Sequence, residues 1–160
     1  MTIKVGEKLP SISLKYMNKD GMQTATTDDL FKGKKAVLFG LPGAFTPTCS
    51  AKHLPGFVSN YDQLKSKGVD AIACVSVNDA FVMDAWGKNQ NAGDKVMMLA
   101  DGNAEFTDKM GLSFDASGFG MGKRSQRYAM VVDNGTVKAL NVEKPGAFDV
   151  SSAEAILKAL

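Results

Sequence analysis

The sequence predicts an α/β protein built on a central mixed β-sheet with helices on its faces. Three observations predict it. Apolar runs rich in β-branched residues alternate with stretches whose apolar residues recur at helical spacing, the pattern of strand–helix units. The run "KAVLFGL", Lys35 to Leu41, is continuously apolar after its first residue, as a strand buried on both faces requires. Near the end, "RYAMVVD" and "TVKALNVE" are joined by Asn134-Gly135, a turn that pairs neighbouring strands antiparallel, so the sheet is mixed rather than all parallel.

The elements follow in order. After the strand at 35–41, Leu54, Phe57, Val58, Tyr61 and Leu64 mark a helix from Cys49 to Lys67, with Gly68 as its stop. Pro55 falls inside that pattern and predicts a kink or a disturbed first turn. "VDAIACVSV", Val69 to Val77, is a second buried strand. Asn78 and Asp79 can cap the next helix, which carries Phe81, Val82, Ala85 and Trp86. "KVMMLAD", Lys95 to Asp101, reads as a third strand, and Ala104 to Met110 as a short helix ended by Gly111. A glycine-rich loop containing "FGMG" precedes the hairpin, and a last helix from Ser151 to Leu160 has Ser151 or Ser152 as its cap.

At 160 residues, with no repeat and no linker, the chain reads as one domain over 1–160 with room for a proper core. Apolar residues make up 44% and charged ones 22%, the balance of an ordinary globular protein. A net charge of +2 and the absence of a basic helix argue against nucleic acid and anionic membrane as partners. No apolar stretch approaches the ~20 residues that span a bilayer. Two cysteines make no disulfide framework, so a reducing, cytoplasmic setting is expected, with an organellar form stripped of a transit peptide as the other option.

Chemistry concentrates in "PGAFTPTCS", Pro42 to Ser50. Cys49 stands where a helix is about to start, just past a predicted strand, the place where α/β sheets gather ligand chemistry. A helix N-terminus offers unpaired N–H groups to an anionic sulfur. His53, one turn along, and Arg127, arriving from a distant strand, are candidate cations beside it. Pro42 and Pro47 stiffen the loop, and Thr46 and Thr48 bring hydroxyls. Free cysteines are often simply buried and inert, but proline, threonine and serine do not form a hydrophobic pocket. Cys74, in the middle of "AIACVSV", has the opposite setting, that of a packed structural thiol. His53 is open to two readings, a local hydrogen-bonding residue or one that tunes Cys49.

A zinc site fails on ligand count, since His53 is the single histidine and Cys74 the single further thiol. In a Cys-His hydrolase the base usually comes from a separate element, whereas His53 follows on the same helix as Cys49, which leaves that class only a weak alternative. A dithiol reductase needs a second thiol, and position 46 holds threonine. A single reactive thiol ringed by hydroxyl and cation donors suits attack on a peroxide O–O bond, leaving a sulfenic acid.

These residues resemble the Pro-x-x-x-Thr-x-x-Cys signature of peroxiredoxins, with Pro42, Thr46 and Cys49 in place. The longer "PGAFTPTCSAKHLPGF" is similar to the type II, or peroxiredoxin five-like, subfamily. "VSVNDAFVMDAWGK", "ADGNAEFTDKMGL" and "GKRSQRYAMVVDNGTVKALNVE" extend the likeness over nearly the whole chain. The resemblance implies a thioredoxin-like fold and a thiol-dependent peroxidase acting on hydrogen peroxide and alkyl hydroperoxides, without a cofactor. It implies Cys49 as the peroxidatic cysteine, Thr46 and Arg127 as hydrogen-bond partners of the peroxide oxygens, and Pro42 as a shield for the sulfur. The backbone N–H groups of Thr48 and Cys49 would be further donors, with His53 in a supporting place. Arg124, three residues before the family arginine, reads as a surface charge. Where some members carry a resolving cysteine, this chain has "FDVSSAEAIL" and no thiol, which implies a one-Cys enzyme recycled by glutathione, glutaredoxin or thioredoxin. A homodimer is also implied, with the loop of Phe114, Phe119 and Met121 as a candidate contact or, alternatively, packed on its own domain. The other functional class is a peroxide sensor that uses the oxidation of Cys49 without sustained turnover.

Overall fold

The computed structural model describes residues 1–160. Nine strands and six α-helices form it: β1 (Ser13–Asn18), β2 (Gly21–Thr26), α1 (Thr27–Phe31), β3 (Lys35–Leu41), α2 (Leu54–Ser59), α3 (Tyr61–Ser66), β4 (Ala71–Ser76), α4 (Ala80–Asn89), β5 (Met97–Ala100), α5 (Glu105–Met110), β6 (Ser113–Asp115), β7 (Lys123–Ser125), β8 (Tyr128–Asp133), β9 (Thr136–Val142) and α6 (Ala153–Ala159). Seven strands make one sheet in the order β2-β1-β5-β4-β3-β8-β9, and β6 and β7 form a separate pair. β3, β4 and β5 are parallel, while β1 and β8 run antiparallel to their neighbours, so the mixed sheet is as predicted.

β3 is the reason the core has two halves. Its alternate residues Val37, Phe39 and Leu41 point into one apolar cluster with Leu54, Phe57, Met83, Trp86 and Ile156, from α2, α4 and α6. Ala36 and Leu38 point into the other, with Leu30 and Phe31 of α1 and Phe106 and Met110 of α5. Both faces are thus covered by helices, which is what an unbroken apolar run demands. Burying one such phenylalanine or leucine contributes roughly 1.5–3 kcal/mol. At Gly40 a side chain is excluded: a Cβ there would overlap the ring of Tyr128, its register partner on β8.

The hairpin at Asn134-Gly135 forms as expected, both residues taking positive φ (50° and 82°), the conformation that suits a tight turn between twisted strands. Asp79, rather than Asn78, caps α4 by accepting from Val82 N at 2.8 Å, and Ser152 caps α6 by accepting from Ala155 N at 3.1 Å. Phe81, placed by its spacing on the apolar face of α4, is 64% exposed, and Met83 is buried in its stead.

The single helix predicted over 49–67 is three pieces. Residues 47–48 are helical, Cys49–His53 is a π-helical turn, and α2 and α3 follow with a break at Asn60. Pro55 explains the transition, for it sits in the first turn of α2, where its missing N–H costs nothing. Asn60 Nδ2 donates to Gly56 O at 2.8 Å and so competes with the helical ladder at the break.

Candidate active site

The site forms because β3 and β8 are antiparallel neighbours. Gly40 pairs with Tyr128, so the carboxyl end of β3, which leads into the Pro42–Cys49 loop, meets the start of β8, which Arg127 precedes. Residues far apart in sequence come together at this edge. Arg127 Nη2 donates to Cys49 Sγ at 3.1 Å, and Arg127 Nη1 donates to His53 Nδ1 at 2.9 Å.

The loop is fixed from several sides. Phe45 takes φ 63°, a left-handed conformation that is costly for a residue with a Cβ, and it folds the chain back so that Thr46 returns to Gly43. Thr46 Oγ1 donates to Gly43 O at 2.7 Å. With its proton committed there, the hydroxyl offers lone pairs to anything else that approaches. Asn78, one of the two candidate caps of α4, instead accepts from Ala44 N at 3.0 Å and from Ser76 Oγ at 2.6 Å, tying the loop to the end of β4. Trp86 Nε1 donates to Ser50 Oγ at 3.0 Å and pins the next turn.

Cys49 is fully buried within the apolar cluster around β3, with the Arg127 guanidinium as the polar contact of its sulfur. Ser50 N begins the helical ladder by donating to Thr46 O at 2.9 Å, which leaves the N–H groups of Thr48 and Cys49 without a partner in the chain. A pocket of about 760 Å³ lies alongside, lined by Pro42, Thr46, Pro47, Thr48 and Arg127, by Phe114, Phe119, Met121 and Gln126, and by residues 143–147. The loop of Phe119, 80% exposed, is therefore a pocket wall rather than a segment packed on its own core.

Two expectations are corrected here. His53 is no cation. Burial first, and then the Arg127 charge, push its pKa down from the usual 6.5 to about 3, against the opposing effects of Ser151 and Glu143. Its Nε2 donates to Ser151 O at 3.0 Å, so both ring nitrogens are engaged and neither bonds the sulfur. Arg124 is no free surface charge. It is half-buried, with Nε donating to Met121 O at 3.0 Å and Nη1 to Pro42 O at 3.3 Å, which joins the pocket wall to the loop. Cys74 is fully buried on β4, beside Phe39 in register, and burial, then the neighbouring Cys49, raise its pKa well above the ordinary thiol range.

The chain matches the Redoxin family over residues 4–157. It is 55% identical to Peroxiredoxin-2E, chloroplastic, of Arabidopsis thaliana, over 99% of this chain and 70% of the relative. Peroxiredoxin-2B of the same plant is 50% identical over 99% and 98%. The chain belongs to the type II peroxiredoxins. Among solved structures it is similar to reduced Prx3 of Vibrio vulnificus in complex with H2O2, with TM-score 0.95, 58% identity and 99% of each chain covered. As a peroxiredoxin it has the thioredoxin-like fold and is a thiol-dependent peroxidase, an antioxidant enzyme. No helix of this peroxiredoxin is long and apolar enough to cross a membrane.

Proposed function

We propose that Cys49 is the peroxidatic cysteine and that it reduces hydrogen peroxide and alkyl hydroperoxides bound in the pocket beside it. The observation that carries this reading is the guanidinium of Arg127 donating to Cys49 Sγ while also lining that pocket. The thiolate sulfur attacks one peroxide oxygen. The S–O bond forms as the O–O bond breaks, sulfur gives up two electrons, and the leaving alkoxide or hydroxide takes up the proton released when the thiol ionised. The product is a Cys49 sulfenic acid and an alcohol or water.

Charge shifts across the O–O bond in that step, and donors already in place stabilise it without reorganisation. Arg127 supplies a fixed planar cation, a role in which lysine is a poor substitute. The Thr46 hydroxyl, its own proton held by Gly43, accepts from the O–H of the incoming peroxide. The free N–H groups of Thr48 and Cys49 face the developing anion, and Pro42 limits water at the sulfur. The Vibrio vulnificus relative solved with H2O2 supports this substrate assignment.

The sulfenic acid is then reduced by an outside thiol. A first thiol displaces water to form a mixed disulfide, and a second releases Cys49 as a thiol. Burial of Cys74 supports this one-Cys cycle, with glutathione, glutaredoxin or thioredoxin as donor. Two free thiols fit a reducing compartment such as the cytoplasm. We assign the homodimer contact to the loop of Phe114, Phe119 and Met121, where Phe119 is 80% exposed. The test is peroxide consumption with glutathione plus glutaredoxin, and with thioredoxin, in wild type, Cys49→Ser and Cys74→Ser. Sustained turnover lost only in Cys49→Ser is the expected result. Loss in Cys74→Ser as well overturns the one-Cys cycle, and a single oxidation per chain without turnover turns the reading to a sensor.

A further inference from the structure

A closed ring of hydrogen bonds leaves the backbone of Arg127 and returns to its side chain. Arg127 O accepts from Glu143 N at 2.9 Å. Glu143 Oε2 accepts from Ser151 N at 2.8 Å, from Ser151 Oγ at 2.7 Å and from Asp149 N at 2.6 Å. Ser151 O accepts from His53 Nε2 at 3.0 Å, and His53 Nδ1 accepts from Arg127 Nη1 at 2.9 Å. The remaining amino group of the guanidinium, Nη2, is the one on Cys49 Sγ. We propose that this ring sets the place of the Arg127 guanidinium over the sulfur, and that His53 and Glu143 are positioning residues for peroxide reduction.

The chemistry of the ring is one-directional. A guanidinium carries only donors, so His53 Nδ1 has to present a lone pair, and the ring proton has to sit on Nε2, where Ser151 O receives it. A protonated imidazole would set an N–H against the guanidinium. The surroundings hold His53 neutral: Phe39, Phe57 and Phe148 pack around its ring at centroid distances of 4.9, 5.8 and 5.3 Å. Glu143 anchors the far side. Burial works against its ionised form, but hydrogen bonds from the Ser151 hydroxyl and from the backbone of Asp149, Ser151 and Val150 outweigh it and hold its carboxyl below the usual range.

A buried histidine satisfied at both nitrogens is common in cores. What separates this one is that its second partner is the cation touching the reacting sulfur. Arginine loses side-chain entropy when held in one rotamer, and a ring that is already closed meets that cost before the peroxide arrives. The Phe148 ring, 6.0 Å from Arg127 Cζ, supports the guanidinium on another side and comes from the same 148–151 segment.

The proposal rests on Arg127 acting as the peroxide donor, and its test keeps the two apart. The readout is the rate of Cys49 oxidation by hydrogen peroxide divided by its rate of alkylation by iodoacetamide, which needs the thiolate but no peroxide donors. His53→Phe keeps a ring and loses the acceptor; the ratio should fall about tenfold or more, the scale on which misplaced groups slow reactions. His53→Asn puts an oxygen near the place of Nδ1 and should restore most of it. Glu143→Gln, which touches neither sulfur nor guanidinium, should lower the ratio several-fold, and it decides the matter if His53→Phe does not fold. An unchanged ratio in Glu143→Gln together with His53→Phe, or an equal fall in Phe and Asn at position 53, overturns the ring's role. If Arg127→Ala keeps the wild-type ratio, the underlying site reading fails instead.

Discussion

Arg127 donates to Cys49 across a separation of 78 residues, with 3.1 Å between Nη2 and Sγ. The contact exists because β8 runs antiparallel to β3 and brings its first residues to the end of the loop that carries the thiol. Removing the guanidinium leaves the sheet untouched. Arg127→Ala is therefore expected to lower the second-order rate with hydrogen peroxide by about 10²–10³, the usual loss of a preorganised donor, while far-UV circular dichroism stays unchanged. Near-normal turnover in that variant would sink the assignment.

Thr46 predicts a sharper distinction. Its hydroxyl donates to Gly43 O, so Thr46→Ser retains the bond and the free lone pairs, whereas Thr46→Val loses both. Serine should stay within a few-fold of wild type and valine should fall by about tenfold or more, measured as peroxide reduction in single turnover. Equal rates in the two variants would show that the hydroxyl takes no part.

Stability should fall as the solution is acidified below pH 6.5. The folded pKa of His53, about 3, lies below its unfolded value, so between those two values the unfolded chain binds the extra proton. The slope reaches at most about 1.4 kcal/mol per pH unit. Arg127 and Glu143 are the charged groups facing the ring, and the lowered pKa of Glu143 adds loss in the same direction below about its ordinary 4.5. Urea titrations from pH 7.5 to 4 should show this slope in wild type and lose its part above pH 4.5 in His53→Asn. A wild-type stability flat down to pH 4.5 would contradict a neutral His53.

Gly40 tests the packing between β3 and β8. Gly40→Ala places a methyl group into the Tyr128 ring, which is fully buried and cannot swing aside. Overpacking of this kind costs about 1–3 kcal/mol and should lower Tm by several degrees. An unchanged Tm would mean that the two strands separate more easily than their shared core suggests.

Sequence patterning exposed the parts of this fold that are governed by burial. β3 was visible because both its faces are covered, and the β8–β9 hairpin because Asn-Gly suits the turn. The hairpin of β1 and β2 carries a turn mark in Asp20-Gly21, but its strands show no burial pattern: it forms a sheet edge where Leu14 alone is fully buried and the rest is polar or half-exposed. β6 and β7 are three residues each, too short for any period to register. In the site, Pro42, Thr46, Cys49 and Arg127 stood out in the sequence, and the fold brings Arg127 onto Cys49 beside a pocket that Pro42 and Thr46 line. The neutral state of His53 was not legible there, because it depends on burial among the surrounding aromatic rings and on the Arg127 charge, both set by tertiary contact. Arg124 was misread for the same reason, since its acceptors are backbone carbonyls of Pro42 and Met121, which no side-chain pattern reveals.

The ring that closes through Ser151 has a consequence for the timing of synthesis. Cys49 leaves the ribosome well before Arg127, and Arg127 before the segment that anchors His53. At about 5–20 residues per second, the thiol waits several seconds for its guanidinium. During that interval the nascent chain carries an ordinary cysteine. On the proposed roles of Arg127 and His53, peroxide chemistry would switch on only once the segment carrying Ser151 has docked, and an unfinished chain would be spared oxidation.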